Sequence, residues 1–235
     1  MKSMIHSWKK KAAQYRELKK QKGVTLLEII IVLGIIGIIA AGVVVLAQRA
    51  FKAQDISNVI ENTNSVRVAM TEAYKDEASY PVPTGSIVDL TKANIAGTTG
   101  NDAPIVNLVR MGKIDVSEAF NGISSDAFEI GPSTITAGAT VNKGFYIVIN
   151  GLEIEDCRNL ASQVGAQWDY VASGTAAAGA QLGSADPLDM AEGTSASILK
   201  SLAGNTLSPT TISAEGFCDA GESDNALILG SRKYA

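Results

Sequence analysis

Residues 22–28 read Lys22-Gly23-Val24-Thr25-Leu26-Leu27-Glu28, and residues 29–49 continue as IIIVLGIIGIIAAGVVVLAQR. No residue from Ile29 to Ala47 is charged. With Val24 to Leu27 added, the apolar run is long enough to cross a hydrocarbon layer of about 30 Å as a helix. Lys9, Lys10, Lys11, Arg16, Lys19, Lys20 and Lys22 come just before it. Positive charge beside an apolar span keeps that side cytoplasmic, so everything after Gln48 is expected outside the cytoplasm.

Glu28 is out of place in such a run. A carboxylate in hydrocarbon costs about 2.5–3.5 kcal/mol at a helix centre and less near the interface, so an acid kept there needs a cation. A cut behind Gly23 supplies one, because Val24 then carries an α-amine that is mainly protonated near neutral pH. The competing reading is an ordinary secretory signal with Ala40, Ala41 and Gly42 as its small-residue cleavage site. Against it stand Glu28 itself and an amphipathic pattern that runs on past Arg49 instead of ending in a polar cleavage region.

A basic leader, Gly, a hydrophobic residue, Thr-Leu-Leu-Glu and a long apolar helix together resemble the type IV prepilins. The long leader, and Val24 rather than Phe behind the cut, resemble the type IVb branch. The string over residues 29–49 is similar to the toxin-coregulated and the longus or colonisation-factor-antigen-III pilins of enteric pathogens. The resemblance is specific over roughly the first third of the chain and general beyond it. It implies that a prepilin peptidase cuts behind Gly23 and methylates the amine of Val24, and that Glu28 pairs with the N-terminus of a neighbouring subunit. It implies a major structural subunit that polymerises through its N-terminal helix into surface filaments for host-cell adhesion, aggregation and colonisation. The partners implied are further copies of the chain, the inner membrane before assembly, the inner-membrane assembly machinery, an outer-membrane secretin, a minor pilin and a host-cell receptor. The setting implied is a Gram-negative bacterium, with the N-terminus cytoplasmic and the body periplasmic before export as a pilus. A minor pilin or a type II secretion pseudopilin is the alternative within filament proteins. From another class, a single-pass anchored periplasmic enzyme would keep its leader and need a reactive constellation.

Composition bears on that last choice. The chain has 235 residues, room for one well-buried domain and an anchoring segment. Aromatic residues are only 6% and glycines number 22, so the core must rest on Val, Ile, Leu and Ala, with much loop. Residues 1–23 hold eight of the 20 Lys and Arg and one of the 24 acids, which leaves the remainder near −11. A body of that sign is no partner for nucleic acid. The single histidine, His6, lies in the leader, so the body has no imidazole for a Ser-His or Cys-His nucleophile or for a zinc site. No catalytic, metal-binding or cofactor-binding residue is assigned. Gly174 to Gly183 is rich in Gly and Ala but lacks a Lys-Ser or Lys-Thr ending, and reads as a loop. Glu153, Glu155 and Asp156 cluster at a helix start, where acids favour the macrodipole and capping explains them better than Ca²⁺ or acid catalysis. Trp168 and Tyr170 read as core residues of a short strand by their alternate spacing, the alternative being contact with a receptor.

The expected fold is α+β, a long N-terminal helix packed on a C-terminal antiparallel sheet with flanking helices. Residues 1–23 form the leader, 24–48 the transmembrane or filament-core helix, and 49–80 its amphipathic continuation. Apolar residues recur there at Phe51, Ile56, Val59, Ile60, Val66, Ala69, Met70, Ala73 and Tyr74, near helical spacing. With no breaker before Ser79-Tyr80-Pro81, the helix is expected to reach about 55 residues, roughly 80 Å. Gly37 and Ala41 form a small-xxx-small pair that permits close helix approach, the bland alternative being an anchor with tolerated glycines. Residues 81–143 read as a connecting loop with a small helix near Ile105 to Met111. Residues 144–235 hold the sheet. Gly144 to Gly151 is its best and most central strand, and Ala226 to Gly230 and Thr210 to Cys218 are further strands. Short helices are expected from Ile154 to Val164 and from Ser195 to Leu202. Cys157 and Cys218, the only cysteines, lie in the exported part and read as a disulfide, against the alternative of two unrelated buried thiols. By resemblance, the segment between them is the variable region exposed on a filament.

Overall fold

The computed structural model describes residues 25–183 and 187–233. The chain divides into two compact units, residues 1–51 and 52–235. One helix, α1, runs from Leu26 to Ala73, 48 residues without a proline. In the first unit every described residue but Ala47 is exposed, Leu26 at 78% and Ile38 at 77% among them. Phe51, expected on the buried face, is exposed as well. In the second unit α1 turns amphipathic and buries Ile56, Val59, Thr63, Val66, Ala69 and Met70 at helical spacing. Thr63 tolerates burial because its hydroxyl donates to the carbonyls of Val59 and Ile60, both at 2.9 Å.

The helix ends at Ala73, short of the expected Ser79, and residues 74–79 form turns and bends. Tyr80 must return to the core, where its ring lies 6.0 Å from that of Tyr74 and 5.0 Å from that of Phe145, so the chain leaves the helix before it. No basic residue occupies the last turn. The Nζ of Lys233 instead donates to the carbonyls of Tyr74 at 3.0 Å and Glu77 at 2.7 Å, supplying a helix end with the cation it favours.

Helix α2, Pro104–Arg110, starts on a proline and buries Pro104, Ile105, Val106 and Leu108, as the short apolar stretch leads one to expect. The rest of residues 81–143 is not all loop, because Glu129–Thr134 forms strand β1. Its sequence, Glu-Ile-Gly-Pro-Ser-Thr, is poor in strand formers, and the neighbouring strand imposes the conformation. That neighbour is β2, Gly144–Leu152, antiparallel to β1 from Glu129↔Val148 to Ser133↔Gly144. Pro132 fits because the outer side of β1 meets only the two-residue β4, Leu188–Asp189, at Ser133 and Thr134.

Strands β3 (Tyr170–Thr175), β5 (Ile198–Lys200) and β6 (Asn225–Arg232) complete a six-stranded sheet in the order β4-β1-β2-β6-β3-β5. All neighbours are antiparallel except β1 and β4. Strand β2 is therefore internal, as expected. Helix α3 spans Ile154–Val164 and α4 spans Pro209–Ile212. Two expectations are reversed here. Ser195 to Leu202 is not a helix but contains β5, a short apolar run whose pairing with β3 decides its form. Thr210 to Cys218 is not a strand, because Ser208 starts α4 with a capping box. Its Oγ accepts from the Thr211 amide at 3.3 Å and the Thr211 hydroxyl accepts from the Ser208 amide at 3.0 Å.

Both sheet faces are covered. Phe145, Ile147 and Ile149 of β2, with Leu227 and Leu229 of β6, pack in one core with Val59, Val66 and Met70 of α1. Tyr146, Val148, Tyr170 and Ile228 point the other way, beneath Met190, Leu182 and Leu202 of the excursion after β3. Gly131 makes room there, since a Cβ at that position would lie 2.3 Å from the ring of Tyr146, its cross-strand partner.

Candidate assembly site

The sequence singles out Gly23, Val24 and Glu28, and of these Gly23 and Val24 lie outside the described residues. Glu28 sits in the first turn of α1. Thr25-Leu26-Leu27-Glu28 has the spacing of a capping box, which gives Thr25 a local use that the sequence reading missed. Half of the box is formed. The Glu28 amide donates to the Thr25 hydroxyl at 3.2 Å, and Ile29 N donates to Thr25 O at 3.2 Å. Among the described residues no hydrogen bond reaches the Glu28 carboxylate, which stands exposed at the head of an exposed apolar helix. Beyond it, a Cβ built on Gly34, Gly37 or Gly42 meets nothing within 4 Å. Among the described residues, contacts within a single subunit thus give no reason for glycine at these positions, whereas close approach of another helix does.

The expected disulfide, a separate feature of the body, is formed. Cys157 on α3 is bonded to Cys218, 61 positions on, with their Cα atoms 6.0 Å apart. Cys218 has φ 50°, a left-handed conformation uncommon outside glycine. Arg158 reinforces the closure, its Nη2 donating to the carbonyls of Phe217 at 3.2 Å and Ala214 at 3.3 Å. Glu153 occupies the N-cap of α3, but its side chain makes no capping bond. Its carboxylate instead accepts from Lys52, which also lies 3.8 Å from Asp156. Glu153 is thus a tie between α1 and α3, while Glu155 and Asp156 occupy the first turn as expected. Trp168 and Tyr170 are buried; Tyr170 opens β3, and Trp168 precedes it, with the Arg67 guanidinium 4.9 Å above its ring.

A long, partly apolar N-terminal helix laid on an antiparallel-rich sheet, with a disulfide closing the C-terminal region, defines a type IV pilin. The solved structure of TcpA, a type IV pilin from Vibrio cholerae El Tor biotype, has this fold: it superposes with a TM-score of 0.55 over 76% of this chain and 99% of that one, at 24% identity. Residues 18–44 match the prokaryotic N-terminal methylation motif, and residues 107–230 match the toxin-coregulated pilus subunit TcpA family. Toxin coregulated pilin of Vibrio cholerae serotype O1 is 36% identical over 200 residues, covering 83% of each chain, and a second Vibrio cholerae toxin coregulated pilin is 37% identical over 203 residues. This chain belongs to the toxin-coregulated pilus subunit family. It is a pilus subunit, anchored by its apolar helix before it polymerises with its own copies into an extracellular filament.

Proposed function

We propose that the chain is the major subunit of a type IVb pilus and serves host-cell adhesion, bacterial aggregation and colonisation. In this reading residues 1–23 are a leader that prepilin peptidase removes behind Gly23, methylating the amine of Val24. Residues 24–48 first span the inner membrane of a Gram-negative bacterium, with the leader cytoplasmic and the body periplasmic, and then enter the filament core. Residues 49–80 tie that helix to the body, and the disulfide-bounded part of residues 144–235 faces outward. The inner-membrane assembly machinery, an outer-membrane secretin, a minor pilin and a host-cell receptor are its further partners. The task is structural and not enzymatic, and once the leader carrying His6 is gone no imidazole remains in the chain.

The observation that carries the reading is a well-packed domain joined to a helix whose apolar side chains, from Leu26 to Phe51, stay exposed. Such a surface needs lipid or other copies of itself. The methylation-motif match over residues 18–44 includes Gly23, Val24 and Glu28 and supports the processing step. When apolar helices exchange lipid for one another, close approach at Gly34, Gly37, Ala41 and Gly42 increases dispersion contact. The carboxylate of Glu28 and the new amine of an adjacent copy neutralise one another, which fixes axial register. Glu28→Val should leave membrane insertion and leader removal intact and abolish efficient filament growth, read by electron microscopy of surface filaments. Filaments at wild-type number and length would contradict the pairing role.

A further inference from the structure

In the body, the side of α1 opposite its buried residues carries Ser57, Glu61, Val68 and Glu72, with Lys75 just past the helix end. Steps of four, seven and four keep the four helix residues on one stripe, and Lys75 lines a groove together with Val68 and Glu72. Polar residues there are ordinary, but Val68 is 65% exposed. It is the only large apolar residue so exposed in a helix or strand of the body, among the described residues.

Val68 stands between two open grooves. One, of about 660 Å³, is lined among others by Glu61, Glu118 and the Glu72–Lys113 ion pair, closed at 2.9 Å, which leaves Glu61 and Glu118 as its uncompensated carboxylates. The other, of about 500 Å³, is lined by Arg67, Lys75, Glu72 and Ser231, two cations against one carboxylate. An open helical polymer is built from heterologous contacts, in which one patch of each copy meets a different patch of the next. An apolar ridge with an acidic groove on one side and a basic groove on the other offers two such patches.

We propose that the Val68 ridge is a subunit–subunit contact of the filament, in which the acidic groove of one copy faces the basic groove of the next. The occupant of each groove is a second copy of this chain. The inference rests on the pilus-subunit reading and adds to it a lateral contact in the body, separate from Glu28. Charged pairs at such a rim add little energy singly, but they steer docking and penalise wrong registers. Repeated at every subunit, they bear on whether growth continues.

The test uses the full chain in bacteria that assemble it, with Glu61→Lys, Lys75→Glu and the two combined. Both side chains are exposed, so the melting temperature of the detergent-solubilised subunit should stay unchanged in all three. Each single reversal should lower the filament yield about tenfold, and the combination should restore most of it. A photo-cross-linking residue at position 68 in intact filaments should join two copies of the chain. Single variants at wild-type yield, a double variant no better than the poorer single, or cross-links only to a different protein would overturn the contact. A wild-type chain that forms no filaments would overturn the pilus-subunit reading instead.

Discussion

Capping and pairing are the two candidate uses of Glu28, and they respond differently to one substitution. As the last residue of a capping box it could be replaced by Gln, whose amide oxygen serves a helix N-terminus nearly as well. As the counter-charge to an amine it could not. Glu28→Gln is therefore expected to keep the helix and lose filaments, and near-normal filament yield would assign Glu28 to capping alone. Glu129 supplies a residue-scale prediction in the body. Burial pushes its carboxyl above the ordinary 4.5, against the opposing effect of amide bonds from Leu182 and Gly183. A raised folded pKa means that the stability Glu129 contributes is fully present below 4.5 and is lost as pH rises through the raised value. Glu129→Gln should thus melt above wild type at neutral pH, with the gap narrowing as pH falls through the carboxylate range. A gap independent of pH would contradict the sign. Glu28 stands out in the sequence because a charge in an apolar run violates a strong rule. Lys233 was not, because its partners Tyr74 and Glu77 lie 159 and 156 positions away and only the folded chain brings them together.

At the level of elements, what could be read from sequence divides by where the stabilising contacts lie. Helix α1 and helix α3 carry their own periodicity, and strand β2 its own run of strand formers between glycines, and these were legible. Strands β1 and β5 were not, since Glu-Ile-Gly-Pro-Ser-Thr and Ile-Leu-Lys extend only because β2 and β3 offer them hydrogen bonds. The end of α1 was misplaced for a similar reason, the inward turn of Tyr80 being a tertiary demand. Two element-scale predictions follow the same contacts. Removing the distant helix cap with Lys233→Ala should destabilise the body by about 1 kcal/mol, measured by chemical denaturation. An unchanged midpoint would show that water caps the helix equally well. Opening the bridge with Cys157→Ser and Cys218→Ser releases a loop of 61 positions, a loss of about 4 kcal/mol by chain entropy. A melting temperature equal to wild type would argue against a stabilising role.

Over the whole molecule, a well-packed body and an unsatisfied apolar helix divide the work. The body buries both sheet faces, whereas the helix from Leu26 to Phe51 leaves its apolar surface to lipid or to its copies. On the proposed function, one bond converts the anchor into a polymer segment: while the leader remains, Val24 has no free α-amine to pair with Glu28. The most direct measurement is the intact mass of the subunit from purified surface filaments, with fragmentation of its N-terminus. The expected subunit begins at Val24, bears one methyl group on its α-amine and keeps the Cys157–Cys218 bond. Filaments built chiefly of chains that still carry residues 1–23 would contradict it.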